Sequence, residues 1–265
     1  MRDPSKTLLD ALQPLLPLAG VLALLVNGFT ARAPEHEAAD PATAFHAAIS
    51  DAAVMDERNV YGGLVAVRPD NEFLRWRTAD RKELLVVTFV TTEVANRFYR
   101  NPDGTGRKGS TPKDAPRVWV TLVPELQRFC QRLGIADPTE RLKQYLGLNP
   151  ASQNNLLVEM WVARDDLFRP CPDPEVNDSV CSLQTADPPP TVRNIPNYAQ
   201  FLLALHEKSY RTDGAPWTRL GYTYDWAHGS RGIGASEYIL VPDANYEVSG
   251  VSLPSAYCTK GAKVD

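Results

Sequence analysis

Short apolar runs rich in β-branched residues alternate along the chain with amphipathic stretches. Such runs predict strands, because branched and aromatic side chains suit a pleated, half-buried surface. The predicted strands are 64–67, 84–92, 117–123, 156–163, 218–226, 236–241 and 246–252. The run at 84–92 is β-branched and largely apolar, which indicates a buried strand.

The amphipathic stretches predict helices, and each carries a cap or stop residue. One begins at Pro124, has Glu125 in its first turn and ends at Gly134. Another has Asn197 in the position of an N-cap. The predicted helices span 124–134, 137–147 and 197–210. Together the elements predict a single α+β domain with a mixed or antiparallel sheet, flanking helices and disulfide bonds.

The N-terminus has the layout of an export leader. Arg2 and Lys6 precede an apolar run at 14–29, and the small-residue triplet 31–33 follows it. The run is shorter than the roughly 20 residues that a helix needs to cross a bilayer. We therefore expect a signal peptide at residues 1–33, with an uncleaved membrane anchor or a buried helix as the alternatives.

Behind the leader the chain is expected to form a spacer and then a folded body. Residues 34–60 are rich in alanine and acidic side chains and predict a spacer with a short helix. The body is expected to span 61–265. We interpret the proline-rich stretch 187–196 as a joint inside one domain, because its flanking segments are too small for separate cores.

The charge balance excludes one class of partner. The chain has 28 Lys and Arg residues against 32 Asp and Glu residues, a net charge of −4, whereas a nucleic-acid binder needs a basic surface. The loop with Gly104 and Gly106 completes neither a P-loop nor a dinucleotide fingerprint. We therefore expect that the protein binds neither a nucleic acid nor a cofactor. We expect the partner to be an unknown small molecule, glycan or protein. Contact with a membrane is expected only through the N-terminal segment, if that segment stays uncleaved.

The four cysteines favour disulfides, because an even number of cysteines in a chain with an export signal is typical of disulfide-bonded proteins. Cys171 and Cys181 flank a short proline-rich loop, and closing this loop is the easiest pairing; it leaves Cys130 for Cys258. The other connectivities stay open. A zinc site is disfavoured because no C-x2-C pair is present. The cysteines thus predict a periplasmic or secreted protein.

The loop between Cys171 and Cys181 also carries oxygen ligands of the kind that calcium prefers. They are Asp173, Glu175, Asn177 and Asp178. Their spacing does not follow the EF-hand pattern. We interpret the loop as a structural turn and predict no metal site.

The segment 216–240 holds the densest set of aromatic side chains beside a glycine-rich loop, 227–235. Read with strand alternation, its aromatic residues share one face, which is typical of core packing. Beside a loop made mobile or tightly turned by glycine, they would also suit stacking on a sugar or a base. The candidate ligand-binding residues are Trp217, Tyr222, Tyr224 and Trp226.

Polar residues of the same segment are the candidate catalytic residues: Arg219, Asp225, His228 and Glu237. No complete catalytic constellation is visible, since Ser236 lacks the second glycine of a nucleophile elbow. Acid–base work by Asp225 and Glu237 would require carboxylates within about 5–9 Å in one cleft.

Several segments together resemble a family of uncharacterised exported bacterial proteins, some of them cyanobacterial. The segments are LLVVTF, RVWVTLVPELQRFC, DLFRPCPDPEV, PWTRLGYTYDW and GASEYIL, in this order between about residue 64 and Cys258. The resemblance implies no activity, cofactor or catalytic residue, because none is known for the family.

The segment SEYILVPDANYEV is similar to the end of ADP-ribosyltransferase domains. In those domains a glutamate polarises the nicotinamide ribose, and an upstream arginine holds NAD. The likeness implies Glu237 as the glutamate and Arg219 as the arginine, at an unusually short spacing. The intervening Ser-Thr-Ser strand and a clear E-x-E pair are missing.

The sequence thus favours a non-catalytic extracytoplasmic binding or structural module. Its contact surface is expected around Trp217, Tyr222, Tyr224, Trp226 and the 227–235 loop. The alternative is a transferase or hydrolase, NAD-using if the likeness to ADP-ribosyltransferases holds, with its site around 217–238.

Overall fold

A seven-stranded sheet organises the residues that this computed structural model describes, 40–114 and 116–259. The strands are β1 (Glu83–Val90), β2 (Lys108–Ser110), β3 (Trp119–Leu122), β4 (Leu156–Ala163), β5 (Leu167–Phe168), β6 (Tyr222–Asp225), β7 (Gly232–Ser236), β8 (Tyr238–Leu240) and β9 (Asn245–Ser252). The helices are α1 (Pro41–Ala53), α2 (Thr92–Val94), α3 (Val123–Leu133), α4 (Thr139–Tyr145), α5 (Tyr198–Ser209) and α6 (Pro254–Thr259). A π-helical turn, Ala95–Tyr99, follows α2.

The sheet is antiparallel throughout. Its order is β2-β9-β4-β1-β3-β8-β5, while β6 and β7 pair separately. The central strands β1 and β4 pair along their whole length, from Glu83–Ala163 to Val90–Leu156. The predicted α+β class is confirmed, with the antiparallel form of the sheet.

Strand β1 is buried, as its largely apolar run predicts, and the structure buries both of its faces. Leu84 and Val86 pack on one face among a large apolar cluster. Leu85 and Val87 point to the other face, where they meet Leu126 and other side chains of α3 and α4. Burial of each such side chain contributes about 1.5–3 kcal/mol, so the double-sided packing fixes the position of β1.

The predicted strand at 64–67 is wrong. Leu64 donates its N–H to the Ser179 carbonyl at 3.0 Å, and Val67 donates to the Val176 carbonyl at 2.6 Å. Both partners belong to the loop around Cys181 and to no strand. The apolar run is therefore buried against a loop, a placement that its composition alone does not distinguish from a sheet.

The predicted loop at 227–235 is shorter than expected, because residues 232–236 form β7. β7 returns antiparallel along β6, with Tyr222 opposite Ser236 and Asp225 opposite Gly232. Gly232 has φ +75°, a conformation that favours glycine and starts the returning strand.

Helix α1 packs on the domain. Phe45 is 1% exposed, and its ring meets that of Trp226 edge to face at 5.9 Å. Asp51 accepts a hydrogen bond from the Tyr224 hydroxyl at 2.6 Å. The described part of 34–60 thus contains the expected helix but is not a free spacer. The predicted leader, 1–33, lies outside the described residues.

Two disulfides close the fold, with the pairing that the loop lengths favoured. Cys130 in α3 bonds Cys258 in α6 with a Cα–Cα distance of 5.0 Å. Cys171 bonds Cys181 with a Cα–Cα distance of 6.7 Å. Two such bonds are typical of proteins that mature in an oxidising compartment outside the cytoplasm. Of the helices between residues 40 and 259, none combines the length and the apolar composition that crossing a membrane requires.

Candidate functional site

The sheet opens between β1 and β3. Within the described chain, their pairing covers two residue pairs, Val86–Leu122 and Val87–Thr121. Beyond these pairs β1 stays bonded to β4 as far as Val90, and β3 pairs on its other side with β8. Within the described chain, the remaining residues of β1 and β3 are therefore not paired with each other.

A cavity of about 680 Å³ occupies this opening. Residues 87–90 of β1 and 116–121 before and within β3 line it, together with the end of α5 and the segment 213–217. Most of its wall is apolar or aromatic. These wall residues include Val90, Val94, Phe98, Tyr99, Trp119, Leu126, Leu148, Leu205, Trp217 and Tyr246.

Most of the polar side chains in the wall already have partners. The hydroxyls of Thr111 and Thr223 each donate to a backbone carbonyl at 2.7 Å. Arg117 donates to two carbonyls of its own loop, at 3.1 and 3.3 Å. Lys208 and Asp213 are exposed. These groups are engaged or solvated, so they leave the cavity predominantly apolar.

Glu237 is the exception in the wall. It lies between β7 and β8, where its N–H donates to the Gly221 carbonyl at 2.9 Å. Its Oε2 is buried and accepts no hydrogen bond from any described residue. Burial raises the pKa of Glu237 to about 8, because the charged form loses hydration. A carboxyl that is protonated at neutral pH can donate as well as accept a hydrogen bond.

A second acid with a raised pKa lies next to this position. Glu125, in the first turn of α3, accepts hydrogen bonds at 3.0 Å from both the N–H and the hydroxyl of Ser236. Burial raises the pKa of Glu125 to about 7, against the opposing effect of these hydrogen bonds. The Ser236 hydroxyl also accepts from the Val65 N–H at 2.9 Å. Glu125 therefore belongs to a network that joins α3, β7 and the 64–67 segment.

Arg219 is engaged with α1. Its guanidinium donates to the carbonyls of Ala53 and Met55 at 3.2 and 3.1 Å and lies 5.7 Å from the centre of the Tyr210 ring. Its Nε is buried with no hydrogen-bond partner among the described residues. Arg219 is not part of the cavity wall.

Asp225 is held in an ion pair. Both of its carboxylate oxygens accept from Arg141 of α4, at 2.9 and 2.6 Å, and one also accepts from the Ala227 N–H. Its side chain is 6% exposed, and the Arg141 guanidinium lies 4.8 Å from the Phe129 ring centre. This bidentate geometry fastens β6 to α4 and leaves the Asp225 carboxylate fully engaged.

The remaining predicted site residues are dispersed. His228 is exposed in the loop between β6 and β7. Tyr222 and Trp226 are buried and donate to the carbonyls of Asn59 and Leu148, at 3.0 and 2.9 Å. Trp217 and Tyr224 line the cavity. The aromatic surface expected from the sequence is thus divided between the interior and the cavity wall.

A buried cation contacts the acidic loop between Cys171 and Cys181. Carboxylate oxygens of Asp173, Glu175 and Asp178 lie within 4.8 Å of one another. The fully buried Arg169 donates to Asp178 at 2.7 Å. The Arg169 guanidinium is thus paired with one of the three carboxylates, that of Asp178.

The sequence predicted the site residues within 216–240, but most residues of the cavity wall lie outside this segment. Of the predicted site residues, Glu237, Trp217 and Tyr224 line the cavity. The sequence analysis predicts strands at 84–92 and 117–123 and assigns no site residue to either. One signal was present: Thr88 places a hydroxyl in the otherwise apolar run of β1, at a position that lines the cavity.

Comparisons with known proteins supply no relative for this chain: no protein-family model, curated protein or solved structure matches it. Its function is therefore inferred from the cavity and the residues that line it.

Proposed function

We propose that this protein binds a small, largely apolar molecule in the cavity between β1 and β3. The supporting observation is the open sheet, with a cavity of about 680 Å³ whose wall is mostly apolar and includes the buried acid Glu237. Ligand cavities commonly measure roughly 300–1,000 Å³ and combine apolar walls with a few placed polar groups. Protein interiors are otherwise close-packed, so an opening of this size inside a sheet favours binding over a purely structural role.

We further propose that the protein works outside the cytoplasm, as a member of the exported bacterial family that it resembles. The two disulfides and the leader-like residues 1–33 support this proposal. The test is the intact mass of the protein from its native host, with alkylation of free thiols. We expect cleavage near Ala33 and no alkylated cysteine. A full-length product with four alkylated cysteines would contradict the proposal.

The enzyme alternative has less support. Arg219 contacts α1 carbonyls, Asp225 is paired with Arg141, and His228 is exposed, so the candidate catalytic residues do not converge on the cavity. One observation favours it: a pKa of about 8 would let Glu237 exchange a proton near neutral pH. An NAD-using transferase would bind NAD, whereas we expect no heat of binding when NAD is titrated into the protein.

A fluorescence titration with the uncharged apolar probe N-phenylnaphthylamine tests the binding function. We expect saturable enhancement in the wild type. Thr88→Phe and Val90→Phe each place a larger side chain in the wall and should weaken binding at least about tenfold, because they remove cavity volume. The matched control is Thr185→Phe, at an exposed loop position.

Thermal unfolding of each variant separates cavity filling from misfolding. A variant that keeps a cooperative transition and loses the probe supports the proposal. Probe binding that does not saturate, or that is unchanged in both folded cavity variants, contradicts it.

A further inference from the structure

We infer that the ligand is an amphiphilic amine, whose apolar body occupies the cavity and whose ammonium group pairs with Glu237. This inference rests on the proposed function and adds to it the chemical class of the ligand.

Glu237 is the group in the wall that lacks a partner. Buried side-chain atoms without a hydrogen-bond partner among the described residues occur in Arg169, Arg219, Glu237 and Ser252. Of these residues, Glu237 alone lines the cavity. An unsatisfied buried polar group costs about 1–3 kcal/mol. A ligand group that bonds to Glu237 would therefore recover free energy that the protein alone does not.

The charges around Glu237 indicate which charge a ligand group bound to it should carry. Burial is the cause of the raised pKa of Glu237, and no cation of the described chain lowers it. Arg117 donates to carbonyls of its own loop, and Arg219 donates to α1. Lys208 also lines the cavity but is exposed, and among the described residues neither Lys208 nor Arg117 forms an ion pair with Glu237. An anionic group placed against Glu237 would therefore meet an acid that has no cation paired to it. An ammonium group supplies the opposite charge, and the low dielectric of the cavity strengthens that attraction.

A neutral hydrogen-bond acceptor is the main competitor. It would accept from the protonated carboxyl and contribute about 0.5–1.5 kcal/mol, whereas a bond between two charged groups contributes about 1.5–3 kcal/mol. Trp217 and Tyr224 also line the cavity, and aromatic faces attract cations. At and above about pH 8, where Glu237 is ionised, the wall therefore favours an amine over an alcohol or a ketone of the same apolar body.

Proton linkage separates these ligands. Glu237 must lose its proton to pair with an ammonium group, while an alkylamine with a pKa near 10.4 stays charged. Affinity for the amine should therefore rise about tenfold per pH unit from about pH 6, and level off above pH 8. A neutral acceptor requires the protonated carboxyl, so its affinity should fall above pH 8.

Other titratable groups lie near Glu237, and their contribution to the pH dependence of binding must be separated from that of Glu237. Tyr210 and Arg219 precede β6, Glu125 contacts the adjacent Ser236, and Tyr238 follows in β8. The cavity wall contributes Arg117, Lys208, Asp213, Tyr99, Tyr224 and Tyr246. Of the acids named here, Glu125 also has a pKa raised into the same range, to about 7. The comparison of Glu125→Gln with Glu237→Gln therefore assigns the pH dependence.

The experiment is competition against N-phenylnaphthylamine by decylamine, decanol and decanoate, below their micelle concentrations. We expect decylamine to bind most tightly and with the rising pH profile. Glu237→Gln should weaken decylamine roughly 10- to 100-fold and flatten its profile, with decanol changed less than about threefold. The matched control Glu93→Gln, at an exposed position, should leave all three affinities unchanged, and Glu125→Gln should keep the decylamine slope.

The outcomes distinguish this inference from the proposed function. Decanol or decanoate binding as tightly as decylamine, or unchanged decylamine affinity in Glu237→Gln, would overturn the inference and leave apolar binding standing. If none of the three competitors displaces the probe, and the probe itself does not saturate, both proposals fail.

Discussion

Ser236 donates its backbone N–H and its hydroxyl to the same oxygen of Glu125, each at 3.0 Å. This double contact fixes the start of α3 to the end of β7. Glu237, the next residue along the chain, then lies between β7 and β8 beside the cavity. The position of the cavity acid thus depends on a second, structural acid.

Glu125 should make the stability of the protein depend on pH. Its pKa in the folded state, about 7, lies above its ordinary value of 4.5, so the folded state binds more protons between these values. The contribution of Glu125 is complete below about pH 4.5 and is lost as the pH rises through 7. The loss is on the order of 3–4 kcal/mol, at 1.4 kcal/mol per unit of pKa.

Urea unfolding at pH 5 and pH 8 measures this effect. Because Glu237 acts with the same sign up to about pH 8, the cleaner comparison is Glu125→Gln made in the Glu237→Gln background. We expect the Glu237→Gln protein to keep a fall in unfolding free energy and the double variant to lose most of it. An equal fall in both proteins would mean that Glu125 is ionised throughout.

Asp225 should prove structural and not catalytic. Asp225→Asn removes the charge that balances Arg141 and should lower the free energy of unfolding by about 3 kcal/mol, since a partly buried cation is left unpaired. The exposed Asp114→Asn is the matched control. Asp225→Asn should leave probe affinity within about twofold, because Asp225 does not line the cavity. A folded variant that loses binding but keeps its stability would reverse this assignment.

The elements that local chemistry determines were predictable from the sequence. Gly134 ends α3 with φ +61°, as a glycine after an amphipathic stretch predicts. Asn197 caps α5 by accepting from the Gln200 N–H at 2.9 Å. Each of these features depends on a few neighbouring residues, whose identities are sufficient to specify it.

The features that depend on distant partners were not predictable. Residues 64–67 have the composition of a strand but bond to a loop more than 100 residues away. The opening between β1 and β3 depends on how many residues of two strands pair, and no periodicity encodes that number. From the sequence, Glu125 is an acid in the first turn of a helix, where a negative charge is favourable. Its main contact in the structure, Ser236, lies in β7. The cavity therefore depends on contacts between residues that are far apart in the sequence.

Phe45 should anchor α1 to the domain. Phe45→Ala removes a buried ring that packs edge to face on Trp226 and should cost about 3–5 kcal/mol of unfolding free energy. It should also make 41–53 susceptible to limited proteolysis. The matched control Val54→Ala, at a side chain that is 71% exposed, should change neither. Wild-type protease resistance in Phe45→Ala would mean that α1 docks through its other contacts.

The two disulfides should differ in what they contribute to stability. Cys130–Cys258 spans 128 residues and Cys171–Cys181 spans 10. In the loop-entropy account these bonds restrict the unfolded chain by about 5 and about 3 kcal/mol. Replacing Cys130 and Cys258 together by alanine should therefore lower the urea midpoint more than the same change at Cys171 and Cys181.

The two pairs differ in burial as well as in loop length, because Cys258 is only partly buried while Cys130, Cys171 and Cys181 are buried. Wild-type protein unfolded with a reducing agent should approach the sum of the two losses. The reverse order of midpoints would show that packing around Cys171 and Cys181, both fully buried, outweighs the entropy of the longer loop. In that case the 64–67 segment, which bonds to this loop, would depend on the shorter disulfide more than the core depends on the longer one.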